Sequence, residues 1–279
     1  GPQNYNGLFL TNNNIVNHPG RSGVFVDGNN NVSESATRDP QISGNLMDGN
    51  SVGMNLGTRS FGKLGVPTTG TFAGEISNNT FSNNVADGVQ GGMQHVLVSG
   101  NTFSNNGRHG LALTSFGNLL LDRGTQNSVI RGNLISGNGF VSAGSGLFVS
   151  VQGAGLQATN QASFNRIVGN ATGASYSGAD TVNLENNWWG CNYGPGNTGI
   201  GCPVAPNGKG GTSPANLDTD PWLVLTTSAA TPSVIVGGTD AVTSLLTTNS
   251  DNVTPGGGFV PNGTPASFVG TFGSVLPAA

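Results

Sequence analysis

The stretch ISNNTFSNN at residues 76–84 returns twenty-two residues later as VSGNTFSNN at 98–106. Written as apolar-x-(Gly/Asn)-Asn-x-apolar-x-x-Asn, the phrase recurs as LTNNNIVNH (10–18), ISGNLMDGN (42–50) and IRGNLISGN (130–138). Looser copies are IVGNATGAS (167–175) and LENNWWGCN (184–192). A second phrase, Gly-apolar-x-apolar, alternates with it: GLFL (7–10), GVFV (23–26), GMNL (53–56), GLAL (110–113), GLFV (146–149) and a degraded GVQG (88–91). Repeats of this length mark units that cannot bury their apolar side alone and must stack on one another. Each unit shows short period-two alternation broken by Gly and Asn, so the units are built of strands rather than helices.

Strands of stacked coils lie ~4.8 Å apart, which turns equivalent positions into ladders. The alignment predicts one asparagine ladder through Asn13, Asn45, Asn79, Asn101, Asn133, Asn170 and Asn187. Asn tolerates the left-handed backbone of a corner, and its amide can bond the Asn above and below. The apolar position two residues on stacks Ile15, Met47, Phe81, Phe103, Ile135 and Trp189 in the interior.

With these two phrases, roughly residues 6–190 resemble the right-handed parallel β-helix proteins of the pectin-lyase-like superfamily. The resemblance implies an all-β fold, a right-handed parallel β-helix solenoid. It says little about function, because this architecture hosts lyases, hydrolases, adhesins and inert stalks.

The composition agrees with a packed solenoid. Gly supplies 47 of 279 residues and only 8% are charged, yet 35% are hydrophobic and periodically placed. The net charge is −4 and the nine basic residues are scattered, which offers no footprint for nucleic acid. No apolar run reaches the ~18 residues of a membrane span, and no signal peptide is visible. Cys191 and Cys202 flank NYGPGNTGIG, and a disulfide across so short a loop implies an oxidising, extracellular compartment. The alternative, a metal or redox pair, lacks CxxC spacing and a neighbouring His.

ENNWWGCNYGPG (185–196) and DTDPWLVL (218–225) read as a closing segment, about residues 185–226, whose aromatics cover the open end of the coil stack. Trp188 and Trp222 are also candidates for a glycan platform. The NWWG…GP…PWL ending resembles that of many secreted bacterial β-helix proteins. From about 227 the pattern changes to TPSVIVGGTDAVTSLLTTNSDNV and VPNGTPASFVGTFGSV, sandwich-like strands between Gly, Pro and Asn turns. Residues 227–279 resemble the first half of a bacterial immunoglobulin-like repeat of the invasin/intimin type, so the expected fold is a β-helix (1–226) followed by a partial Ig-like β-sandwich.

Taking the second phrase as register, Asp87, His109 and Ser145 precede its glycines and stand on consecutive coils, with Arg108 beside them. This column has the residue types of a nucleophilic triad. It can equally be a surface ladder with a His–Asp ion pair, which is the preferred expectation. Arg108-His109-Gly110 also resembles the His-Gly of polygalacturonase-like hydrolases, but the clustered aspartates of those enzymes are missing. Asp218 and Asp220 offer a candidate Ca²⁺ loop that does not match EF-hand spacing, so no cofactor is expected.

From the Gly of the second phrase to the next first phrase takes 10 residues in the shortest coil (88 to 98). The others take 19 (23 to 42), 23 (53 to 76), 20 (110 to 130) and 21 (146 to 167). All the insertions therefore enter at one corner, and they carry Arg38, Arg59, Lys63 and Arg123, candidate ligand-binding residues. Together these features point to an extracellular or cell-surface bacterial module of structural or adhesive type. Its expected partners are further copies in a head-to-tail filament. The alternative is a polysaccharide-active enzyme or glycan binder at the loop-bearing edge.

Overall fold

A computed structural model describes residues 8–26, 40–56, 61–62, 72, 74–114, 125, 127–150, 160–197, 202, 207–231 and 233–264. Its body is a parallel β-helix whose strands fall into three sheets. The first has eight strands, from Phe9–Thr11 through Val96–Ser99 to Leu217–Asp218. The second has six, from Asn14–Val16 to Arg166–Val168, and the third has seven, from Ser22–Phe25 to Lys209–Gly210. Every pairing within these sheets is parallel, and the six coils between Phe9 and Ser177 each contribute one strand to each sheet.

The register follows the repeats. Phe81 lies opposite Phe103, which lies opposite Ile135, and the two phenyl rings stack with centroids 5.1 Å apart. Ile42, Ile76, Val98 and Ile130 form the corresponding column of the first sheet, all buried. The glycine of the second phrase is required by close approach: a Cβ on Gly88 would sit 2.5 Å from the Gly110 carbonyl oxygen and 3.0 Å from the Asn106 amide nitrogen.

Two asparagine ladders run up the stack, not one. The first links Asn13, Asn45, Asn79, Asn101, Asn133, Asn165 and Asn187. The second links Asn50, Asn84, Asn106, Asn138, Asn170 and Asn207. Asn170 thus belongs to the second ladder, and Asn165 holds the place assigned to it. The coil written from Ile167 begins at Ala162, because Arg131 pairs with Ser163 and Ile135 with Ile167. The first-phrase insertion in that coil is accordingly shorter, 16 residues from 146 to 162. GLFL likewise is no copy of the second phrase, since Leu10 pairs with Ile42 in the first sheet.

The two roles given to one asparagine are also divided between neighbours. The residue before each ladder Asn takes the left-handed backbone: Asn12, Gly44, Asn78, Gly100, Gly132, Phe164 and Asn186 all have φ between 55° and 68°. The ladder Asn itself closes the hydrogen bonding. Asn101 Oδ1 accepts the backbone N–H and the Nδ2–H of Asn79, while Asn101 Nδ2 donates to the carbonyls of Ile76 and Ser99 and to Asn133 Oδ1. A buried corner is thereby left with satisfied polar groups.

The C-terminal end of the stack is covered by Trp189, Tyr176, Leu184 and Leu217, all buried. The Cys191–Cys202 disulfide closes the loop inserted between Trp189 and Asn207. At the other end, Leu10, Ile15 and Val24 are only half-buried. Of the expected sandwich, the described residues show one antiparallel hairpin, Leu223–Ala229 with Val242–Asn249. Its first strand runs across the boundary expected at 226–227. The stretch SFVGTFGSV lies outside the described residues.

Candidate functional site

Asp87, His109 and Ser145 do stand on successive coils, since Gly88 N–H donates to the His109 carbonyl and Gly110 N–H to that of Ser145. The column is buried rather than exposed: Asp87 and Ser145 show no accessible surface and His109 keeps 8%. That corrects the surface ladder expected from the sequence. The ion pair also has a different partner. Arg108 grips the Asp87 carboxylate through Nε–H···Oδ1 at 2.9 Å and through a second, shorter contact to Oδ2. Asp87 Oδ1 further accepts the backbone N–H of His109 at 3.0 Å, so the carboxylate contact given for His109 is to its main chain.

The His109 ring is held by its neighbours. Ser145 N–H donates to Nδ1 at 3.0 Å, which places the ring proton on Nε2 and makes the imidazole neutral. The ring stacks on Phe148 with centroids 4.4 Å apart. Burial is the main cause that lowers the His109 pKa to about 4; Asp87 opposes the shift and Arg108 adds to it. Ser145 Oγ donates to the Leu147 carbonyl at 3.1 Å and lies 2.8 Å from Ser175 Oγ. A triad needs a carboxylate on the imidazole and an accessible hydroxyl. This column has neither, and its polar atoms bond the stack together instead.

The tryptophans separate into three environments. Trp189 ends the interior stack. Trp188 is 6% exposed in a small apolar cluster with Phe164 and Leu223, which joins the hairpin to the solenoid flank. Trp222 donates its Nε1–H to the Asn192 carbonyl and lies over Gly194 in the disulfide loop. No shared glycan platform results from Trp188 and Trp222. Asp218 accepts the Leu184 N–H through its carbonyl, and Asp220 accepts from Ser250 Oγ at 3.4 Å. Among the described residues no three His, Cys, Asp or Glu side chains converge on a metal position. Arg38, Arg59, Lys63 and Arg123 lie outside the described residues.

Sequence reading missed a groove of about 860 Å³ between the hairpin and the solenoid flank. Its lining includes Arg166, Val168, Trp188, Leu225, Leu246 and Val260. Nothing in one-dimensional spacing brings residues 244–264 onto Arg166. Phe164 was the available signal: among the first-corner residues it alone is neither Gly nor Asn.

A stack of parallel three-strand coils with internal Asn ladders defines the class, a parallel β-helix. The model of the right-handed β-helix region family matches residues 3–189, and the chain belongs to that family. No curated protein and no solved structure matches the chain.

Proposed function

We propose that the protein is an extracellular structural or adhesive β-helix module. The observation that carries this reading is the fate of Asp87, His109 and Ser145, the best-placed reactive side chains. Each is buried, and their hydrogen bonds hold neighbouring coils together. The Cys191–Cys202 disulfide supports an oxidising compartment such as a bacterial cell surface. The hairpin at 223–249 is taken as part of an Ig-like β-sandwich. A head-to-tail filament of further copies is part of this reading, and light scattering of the purified protein tests it.

Incubation with neutral and acidic polysaccharides, followed by reducing-end and unsaturated-product assays, is the direct test. No turnover is expected. Activity that disappears in both His109→Ala and Ser145→Ala would overturn the reading. A polysaccharide-binding edge is the second reading, and one observation favours it. The four long insertions between third-sheet strands ending at Phe25, Asn55, Thr114 and Ser150 and the next first-sheet strands at Gln41, Gly74, Val129 and Gln161 all leave from one corner. A glycan array binds at this edge only if that reading is right.

A further inference from the structure

The loop between Trp189 and Asn207 carries the Cys191–Cys202 disulfide and reaches across to the start of the hairpin. Asn192, the residue after Cys191, grips the main chain of Leu225 twice. Its Oδ1 accepts the Leu225 N–H at 2.6 Å, and its Nδ2 donates to the Leu225 carbonyl at 2.9 Å. The Asn192 carbonyl also accepts the Trp222 indole N–H at 2.9 Å. The Trp222 ring lies so close to Gly194 that a Cβ there would sit 2.9 Å from it. Trp222 is tied in turn to the far end of the hairpin, because the Ser250 N–H donates to its carbonyl. The place of Asn192 therefore sets the place of the first hairpin strand.

The two sulfurs of this loop are not equivalent. Cys191 is 3% exposed, whereas Cys202 is half-buried and lines the groove between the hairpin and the solenoid flank. At about 860 Å³ the groove has room for a small thiol. Cys191 Sγ accepts the backbone N–H of Tyr193 at 3.4 Å. Thiol–disulfide exchange proceeds by attack on one sulfur and departure of the other as a thiolate. Here the reachable sulfur is that of Cys202, and a main-chain donor already faces the sulfur on which charge would develop.

We propose that the Cys191–Cys202 bond is a thiol–disulfide exchange site, entered at Cys202 from the groove by a small dithiol, and that its reduction unseats the hairpin. The reductant's first thiolate forms a bond to Cys202 Sγ. The electron pair of the Cys191–Cys202 bond leaves on Cys191 Sγ, which takes a proton from water. The reductant's second thiolate then attacks its own bound sulfur and frees Cys202, which is protonated in turn, and the dithiol departs as a cyclic disulfide. Two electrons and two protons pass in all from the dithiol to the two cysteines. With the cross-link gone, Asn192 is no longer held at the base of a closed loop, and Leu225 and Trp222 lose a fixed partner. The solenoid keeps its ladders, so the effect is confined to the hairpin. This exchange is independent of the structural reading above, since polysaccharide assays leave it untouched.

The test uses the whole chain in native buffer, with dithiothreitol as the dithiol and hydrogen exchange resolved by segment as the readout. Reduction should speed exchange in Leu223–Ala229 by about tenfold, the change that one lost hydrogen bond implies, and leave Thr102–Ser104 unchanged. Cys191→Ser combined with Cys202→Ser should exchange as fast as the reduced chain and ignore dithiothreitol. Asn192→Ala keeps the disulfide and should loosen the same strand with the bond intact. Glutathione followed by an acid quench should leave its adduct on Cys202, read by peptide mass. An adduct confined to Cys191, or a disulfide that resists dithiothreitol until the chain is denatured, overturns the proposal. So does unchanged exchange in Leu223–Ala229 after reduction, or equal acceleration in Thr102–Ser104, which would make the bond a staple of the whole stack.

Discussion

The solenoid and the hairpin seated on its flank are held together by different means. In the solenoid each contact is repeated at every coil, so Asn79, Asn101 and Asn133 make the same hydrogen bonds one step apart. The hairpin rests on contacts made once each, among them a small cluster around Phe164, Trp188 and Leu223, hydrogen bonds from Leu223 N–H to the Asn187 carbonyl and from Asn249 Nδ2 to Asn186 Oδ1, and, in the segment that follows it, Arg131 and Arg166 reaching carbonyls at Gly257 and Gly263. Periodic contacts fail cooperatively through their neighbours, whereas a singly attached element opens on its own. The difference can be broken at chosen residues.

The largest effect is expected in the ladder interior. Asn101→Leu orphans the Asn79 backbone N–H inside the stack and removes the amide donor to the Ile76 and Ser99 carbonyls and to Asn133 Oδ1. One orphaned buried group at ~1–3 kcal/mol and the lost hydrogen bonds together suggest a loss of about 4 kcal/mol. Asn13→Leu, at the exposed end of the same ladder, should cost under about 1 kcal/mol, since its amide groups face solvent. Chemical denaturation of the two variants checks the contrast, and equal losses would sink the ladder account.

Acid is expected to act on the solenoid next. His109 is neutral in the fold with a pKa near 4, below the ordinary value of 6.5. Above pH 6.5 both folded and unfolded chains carry the neutral ring, and stability is unaffected. As pH falls from 6.5 towards 4, the unfolded chain binds a proton that the folded one refuses, and stability drops by up to about 3 kcal/mol. Below pH 4 both are protonated and this contribution levels off. Melting temperature against pH should show this fall in the native chain and a smaller one in His109→Gln.

How much of this was legible in the sequence depends on periodicity. The coil register, the interior phenyl stack and the placing of Asp87, His109 and Ser145 one above another follow from residue spacing. The assignment of Asn170 failed because both corners of a coil share one local grammar: ISGN at 42–45 and MDGN at 47–50 each read apolar-x-Gly-Asn. In the coil at 162–170, Ala162 and Phe164 disguise the first corner, and the phrase slides to the second. The chemistry of the column was illegible for another reason. Backbone register fixes which residues are neighbours, but whether Asp87 meets the imidazole or the main chain of His109 depends on side-chain direction. Contacts of the hairpin have no period at all, so neither the groove nor its apolar cluster could be read.

A cavity in the hairpin cluster should loosen one region only. Leu246→Ala removes an apolar side chain packed against Phe164, Trp188 and Leu223, a change of ~2 kcal/mol for a partly buried site. Limited proteolysis is expected to cut within 231–241 faster, while the solenoid's melting temperature stays near that of the native chain. A matching drop in both would show that hairpin and solenoid unfold as one unit.

The smallest effect separates the two regions by opposite signs. Phe164 has φ 56°, a left-handed conformation that costs an ordinary L-residue roughly 1–2 kcal/mol. Equivalent corners use Asn12, Asn78 and Asn186 or glycine, residues that adopt it with less strain. The solenoid therefore carries a local cost at this corner, and the hairpin side is where it is offset. The phenyl ring is 6% exposed, and Gly258 approaches it so closely that a Cβ there would lie 2.8 Å from the ring. Phe164→Asn should relieve the corner, raising solenoid stability by about 1 kcal/mol, and strip the hairpin of its central contact. Hydrogen exchange resolved by segment reads both at once: slower exchange is expected in strands Val129–Arg131 and Gln161–Ser163, and faster exchange in Leu223–Ala229 and Val242–Asn249. Faster exchange in all four strands would mean that the corner is not strained and that the ring supports the solenoid itself.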